Sequence, residues 1–335
     1  MDFENEFEKV LASQDVQESD VAPTVQEPTW TRIKDFKIYS VEGGTTLYAN
    51  GRQQVQIRVS IRVSDDFAKS MELEGRAQWS LHLVKADGLE PLPYGLFDSN
   101  TPQGWRYTTH RDELFKPLPY QGIVKGGLEG DKVYSRDFYV TTTASSSISL
   151  MAAVVRSDGT IFYTDMKTAD GILTLNTLPP AVYGNNHFRL KMMDRLYYKN
   201  EKASRSDIFK LELVVDNHQI EFVKFVDVSP GTFVVWYVLE KNNLGFLSSA
   251  YINGKLNYFE QSYNLEAPQR EATRRTYPGA VTIFMSTVEV DSRLTIRESQ
   301  LKWRVWKLAL LDMYGNEHVV TLTYSREWPI ALRLY

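Results

Sequence analysis

The chain has no cysteine among its 335 residues. That absence removes disulfide bridges, thiol nucleophiles and thiolate metal sites together. Also missing is any apolar run of about 18 residues, the minimum for a membrane-crossing helix. The first residues are acidic and contain no continuous apolar core, so no secretory signal is read there. Synthesis in the cytoplasm is expected, with export by a route that reads no N-terminal signal, or release by lysis, left open. Catalytic signatures are equally scarce. The sequence has neither a Gly-x-Ser-x-Gly elbow nor a Gly-x-x-x-x-Gly-Lys-Ser/Thr phosphate loop. The three glycines of "VKGGLEGDKVY" (124–134) have neither the spacing nor the strand-to-helix setting of a phosphate site and read as a loop. His82, His110, His187, His218 and His318 stand far apart in sequence, none at His-x-x-x-His spacing. Asp65-Asp66 alone falls short of the roughly six or more oxygen ligands that calcium takes. The expectation is therefore no catalytic residue, no metal and no cofactor. A carboxylate pair is defined by its separation in space, so the sequence leaves open an enzyme site assembled across strands.

What the sequence does contain is alternation. In "TTLYANGRQQVQIRVSIRV" (45–63) the odd positions Val55, Ile57, Val59, Ile61 and Val63 are β-branched, and the even positions between them are polar. On a strand this sends every apolar side chain to one face. A helix would scatter them around its circumference. Asn50-Gly51 supplies residues that tolerate positive φ and reads as a type I′ hairpin turn, with Leu47 and Ala49 on the preceding strand. The theme repeats in Trp79–Leu83, in Ile148–Val154 before Asp158-Gly159, in "TIFYTD", and in "FKLELVVD" (209–216), "TFVVWYVLE" (232–240), "LKWRVWKLALLD" (301–312) and "HVVTLTY" (318–324). Many short strands between Gly, Asn, Asp and Pro turns give a mainly β fold of antiparallel sandwich type.

The double proline of "LNTLPPAVYGNN" (175–186) forbids central strand pairing and marks a boundary. The expected organisation is a disordered acidic tail (1–30) and two antiparallel β-sandwich domains, 31–178 and 183–335. A further split near "FKPLPYQG" (115–122) is the competing division. "YANGR" (48–52) and "YINGK" (251–255) are candidates for equivalent hairpins.

Charge is unevenly placed. Residues 1–30 hold eight acidic residues against the single Lys9, a net −7; the other 305 residues carry +3 of the overall −4. A body so close to neutral is not built for counterion release from nucleic acid, and no nucleic-acid partner is expected. The cluster Arg270, Arg274 and Arg275 reads as a solvated face. Within the tail, Phe3, Phe7, Val10 and Leu11 would share one side of a short helix. Such a helix is marginal alone, so Phe3, Phe7 and Leu11 are the candidate docking element for a protein partner or a second copy, against the alternative of a frayed terminus.

The stretch "LYANGRQQVQIRVSIRVSDD" resembles the start of bacterial immunoglobulin-like domains of the invasin and intimin kind, in which a small-polar-Gly turn precedes an alternating, valine-rich strand. The resemblance covers about 25 residues. It implies that the two sandwich domains are immunoglobulin-like and that the chain has a scaffold or adhesion role, and it transfers no functional residue. Aromatics point the same way: 19 Tyr and 7 Trp exceed the needs of a plain sandwich core, and such rings serve as glycan platforms or interface anchors. Trp105 and Tyr107, in the polar segment "NTPQGWRYTTH", are the candidate exposed binding residues, packing onto the core being the alternative. Trp79, Trp236 and Trp303 read as core, and Trp30 and Trp328 as pins for the terminal strands. The expected function is a non-enzymatic binding or structural protein, a component of a bacterial or phage assembly or a surface-recognition factor. A glycan-binding or pore-forming toxin-like protein is the alternative. The pore reading would use "YVTTTASSSISLMAAVV" (139–155) as an inserting hairpin with "TIFYTDMKT", whose Asp165 and Lys167 shorten it.

Overall fold

The computed structural model describes residues 32–42, 44–63, 81–98, 100–120, 133–156, 159–168, 170–197, 203–226, 233–235, 244–252, 255–256, 277–289, 305–324 and 332–334. The tail with Phe3, Phe7 and Leu11, the Asp65-Asp66 pair, the 124–132 loop, the Arg270–Arg275 cluster, and Trp30, Trp79, Trp236, Trp303 and Trp328 lie outside those residues.

Nine strands precede the double proline: β1 (Ile33–Ser40), β2 (Thr46–Tyr48), β3 (Val55–Val63), β4 (Leu81–Lys85), β5 (Trp105–Thr108), β6 (Val133–Thr142), β7 (Ile148–Val155), β8 (Ile161–Tyr163) and β9 (Leu173–Leu178). They form one sheet in the order β1-β3-β6-β5 and a second in the order β2-β9-β7-β4, with β8 beside β7. After a single 3-10 turn at Asn185–His187 come β10 (Phe188–Tyr197), β11 (Ala203–Val215), β12 (His218–Ile220), β13 (Phe222–Phe225), β14 (Phe233–Val235), β15 (Leu244–Ile252), β16 (Lys255–Leu256), β17 (Val281–Glu289), β18 (Val305–Asp312), β19 (Glu317–Tyr324) and β20 (Leu332–Leu334). Their sheets run β10-β11-β17-β15-β14 and β13-β18-β19-β20. No described strand pairs with one from the other side of the double proline. The fold is thus nearly all β, and among the described residues there is no α-helix.

Each group of sheets encloses its own apolar cluster. The first is drawn from both N-terminal sheets, with Ile57, Phe138, Leu47 and Leu150 among its fully buried members. The second joins Leu211 and Ile283 of one C-terminal sheet to Leu310 and Val320 of the other. β3 explains why: its five odd residues are all buried, none more than 4% exposed. Ser60, on the opposite face, is buried too, because its hydroxyl bonds those of Ser135 (2.7 Å) and Tyr39 (3.3 Å). β7 is covered on both faces. Leu150, Ala152 and Val154 enter the main core, and Met151 and Ala153 meet Val84 in a small outer cluster. β6 and β7 lie in different sheets, and β7 pairs with β8 over Ala153–Val155 only; with both of its faces packed, β7 carries no exposed apolar stripe.

Three expectations about local pairing are corrected. Asn50-Gly51 does not close a hairpin. β2 pairs with β9 in one sheet, whereas β3 pairs with β1 and β6 in the other, so the turn carries the chain between sheets. Only Gly51 takes positive φ (71°), not both central residues as a type I′ turn requires. Second, the β2–β9 pairing is parallel. The chain leaves β1 at Ser40 and crosses to the second sheet, so β2 runs beside the final strand of the unit in the same direction. Third, β15 and β16 pair antiparallel, with Ile252 opposite Lys255, a pairing that β2 and β3 on either side of 49–54 do not make. Asp158-Gly159, by contrast, joins a paired β7 and β8.

Candidate functional site

The Asn50-Gly51 turn has a different task. Asn50 Oδ1 accepts from the backbone N–H groups of Arg52 and Gln53 (both 3.0 Å), which fixes an Asx turn. Its amide nitrogen is then free to donate outward, and it does so to the Tyr314 carbonyl (2.9 Å) and Asn316 Oδ1 (3.1 Å), on the turn between β18 and β19. Arg52 donates to the Gly315 carbonyl (3.2 Å) and faces Glu317 at 3.9 Å. Gln53 is wholly buried with both ends of its amide satisfied: Oε1 accepts from Tyr48 N–H, and Nε2 donates to the Lys116 carbonyl. Lys116 in turn donates its N–H to the Met313 carbonyl (2.7 Å) and reaches Glu221 with its ammonium at 3.2 Å. Phe115 and Lys116 therefore lie against the 313–315 turn, whereas Leu118 and Tyr120 approach Gly44.

The receiving turn is itself rigid. Asp312 is fully buried, and its Oδ1 accepts from the N–H groups of Tyr314 (2.8 Å) and Asn316 (2.9 Å). Oδ2 accepts from Asn316 Nδ2 (3.2 Å) and from His318 Nε2 (3.0 Å). Asn316 Oδ1 then receives both Asn50 Nδ2 and the Ala181 N–H (3.2 Å) of the connecting segment. One buried carboxylate thus organises a turn whose outer side meets the first unit and the linker together.

Three tyrosines surround this contact. Tyr48 packs on Tyr314, and Tyr183 on His318, with ring centroids 6.3 and 5.5 Å apart. Burial pushes the Tyr183 hydroxyl up to about 12, assisted by the nearby Tyr48 and Asp312. Burial likewise raises Tyr48 and Tyr314 above the ordinary phenol value. A phenol is charged when deprotonated, so a raised folded value favours the folded contact below about pH 10, and that contribution is lost as pH climbs toward 12. The expected result is a stability that falls through this alkaline window, with a shallower fall in Tyr183→Phe. Urea unfolding of both proteins at neutral pH and at about pH 11 checks it.

Beside the joint, the loop 108–115 borders an open cleft of about 480 Å³ lined by Gln54, Tyr94, Leu96, His110, Arg111 and Glu113, among others. Trp105 and Tyr107 are not exposed platforms here. They are 8% and 7% exposed and belong to the first core, and the Trp105 indole donates to the Ser146 carbonyl. The segment looked polar in sequence, but β5 pairs with β6, and alternation sends both rings inward. The exposed ring is Tyr94, at 55%, which meets buried Tyr107 edge-on with centroids 5.5 Å apart. Sequence reasoning missed it. The available signal was "PLPYG", where a proline before and a glycine after the tyrosine leave it little chance of a regular strand. Among the described residues, no group of three or more His, Asp or Glu could hold a metal ion.

No family model matches the chain, and neither does any curated protein. Among solved structures, the chain is similar to domains 4–9 of the surface layer protein SbsC, with 11% identity and a TM-score of 0.20 over 89% of this chain and 33% of that one. It spans a third of that fragment. The partial N-terminal region of an enterococcal surface protein has 11% identity and a TM-score of 0.18, covering 91% of this chain and 97% of that one. Both are surface proteins by name, and TM-scores this low carry no argument about the role of this chain.

Proposed function

We propose that the chain is a non-enzymatic structural protein in which two sandwich units are held at a fixed mutual orientation, so that surfaces on one unit are presented at a defined position relative to the other. The observation that carries this reading is the contact of the 50–53 turn with the 312–317 turn. Interfaces between domains of one chain are commonly small and mobile. This one has Asn50, Arg52 and Asn316 donating and accepting across it, a wholly buried Gln53 behind it and the linker N–H of Ala181 tied into the same acceptor. A scaffold in a bacterial or phage assembly, or in a surface-recognition factor, needs such a joint, because spacing and angle are what it supplies. Association with a protein partner or a second copy belongs to the same reading.

The test is backbone ¹⁵N relaxation. In the native protein both units should tumble with one correlation time. In the double variant Asn50→Ala, Arg52→Ala they should separate into two shorter ones, with both cores still folded. Independent tumbling of the units in the native chain would overturn the proposal.

A further inference from the structure

We infer that the cleft bordered by Tyr94 and the 108–113 loop is a binding site for a neutral oligosaccharide. The first observation is an orphan donor. Gln54 is 7% exposed, and its Oε1 accepts the Asp112 N–H at 2.7 Å, which fixes which end of the amide is oxygen. The other end, Nε2, is buried and has no hydrogen-bond partner among the described residues, although Gln54 lines the cleft. Leaving such a donor unpaired is costly, and its neighbour Gln53 shows that a buried glutamine in this segment can be satisfied at both ends.

The second observation is an aromatic held ready. The Tyr94 segment is laid along β5 by the Tyr107 N–H to the Pro93 carbonyl (3.0 Å) and the Gly95 N–H to the Tyr107 carbonyl (2.9 Å). Arg106 donates to the Tyr94 carbonyl at 2.8 Å. Tyr107 meets the ring edge-on and is itself met edge-on by Phe138. An exposed tyrosine whose backbone is pinned and whose ring rests edge-on against Tyr107 presents a stacking face with less conformational entropy to lose than a free side chain. The opposite wall is equally fixed, since Thr108 donates to the His110 carbonyl and Asp112 Oδ1 accepts the Leu114 N–H.

Charge selects the ligand class. Arg111 is already paired with Glu42 (3.1 Å) and Glu113 (3.7 Å), and Asp112 adds another carboxylate. Arg111, the one arginine or lysine among the lining residues, is thus compensated, and Arg106 beside the cleft is spent on the Tyr94 and Gly95 carbonyls, which argues against phosphate or a carboxylate-bearing group. Sugar hydroxyls donate and accept at once, matching acceptors on Glu113 and Asp112 and the donor on Gln54, while a pyranose face covers Tyr94 and Leu96. The volume lies within the roughly 300–1,000 Å³ of small-ligand sites. A lysine-rich peptide is the competing occupant, attracted by the carboxylates alone; it would leave Gln54 unsatisfied.

The test uses the full chain against maltotriose, cellotriose, N,N′-diacetylchitobiose, 3′-sialyllactose, inorganic phosphate and a tetralysine peptide, read by saturation-transfer and chemical-shift NMR. At least one neutral oligosaccharide should bind at concentrations up to about 10 mM, shifting amides at 94–96 and 108–113. Tyr94→Ala should weaken that binding about tenfold or more. Gln54→Glu keeps the acceptor for Asp112 and removes the donor, and should weaken binding as well. If no neutral sugar binds, if only tetralysine, phosphate or the sialylated sugar does, or if Tyr94→Ala binds like the parent, the assignment is wrong. Tyr94 is exposed, so a near-unchanged circular dichroism spectrum of Tyr94→Ala distinguishes lost contact from lost fold.

Discussion

Asp312→Ala should cost the C-terminal unit about 3–5 kcal/mol, measured by urea unfolding. The carboxylate is fully buried and accepts four hydrogen bonds, from two backbone N–H groups, the Asn316 amide and His318. Truncation leaves all four donors without a partner in a water-poor site. Each stranded donor costs about 1–3 kcal/mol, partly recovered by relaxation. Asp312→Asn should lose less, because its amide oxygen can still take the two backbone N–H groups of the turn. The N-terminal core, which contains none of these partners, should keep its own unfolding midpoint once uncoupled. A loss below about 1 kcal/mol for Asp312→Ala would mean that the turn is held by its backbone alone.

The second large effect is steric and has a built-in control. Gly315 has φ +81°, and a Cβ there would lie 2.8 Å from Arg52 Cβ, 3.3 Å from Asn50 Nδ2 and 3.4 Å from Phe115. Gly159 has nearly the same φ, +83°, with no atom of the described residues within 4 Å of a Cβ. Gly159→Ala should therefore cost only the left-handed backbone penalty, about 1–2 kcal/mol. Gly315→Ala should cost that amount and in addition push the 50–52 turn off its seat, since the closest atom is a Cβ fixed to backbone rather than the far end of a side chain. The difference between the two variants isolates the joint. The expected readout is a larger loss of stability for Gly315→Ala together with separate correlation times for the two units. Equal losses with unchanged tumbling would show that the two turns do not bear on one another.

How much of this was legible beforehand depends on the range of the interaction. The alternation of β3 could be read directly, because side-chain direction in a strand depends only on parity, and burial of its five odd residues followed. The Asn50-Gly51 pair was recognisable as a turn from its own chemistry. Its destination was not: the residues its side chain bonds are more than 260 positions away. The same distinction separates Tyr107 from Tyr94. A polar neighbourhood in sequence suggested exposure at 105–107, but the pairing of β5 with β6 turned those rings inward and left Tyr94 outside. Gln53 and Gln54 are identical neighbours in sequence. Only the folded chain makes one fully satisfied and leaves the other, at the edge of a cleft, with a buried donor that has no partner among the described residues.

The sequence by itself determined the β class, the turns and the chemistry that a chain without cysteine does not use, because these follow from local propensity, parity and composition. Tertiary structure alone decided which strands share a sheet, that β2 runs parallel to β9, that the 50–53 turn locks onto the 312–317 turn, and where a cleft opens. Those outcomes depend on contacts between residues far apart in the chain, and no local pattern encodes the partner of a hydrogen bond that closes across two separate cores.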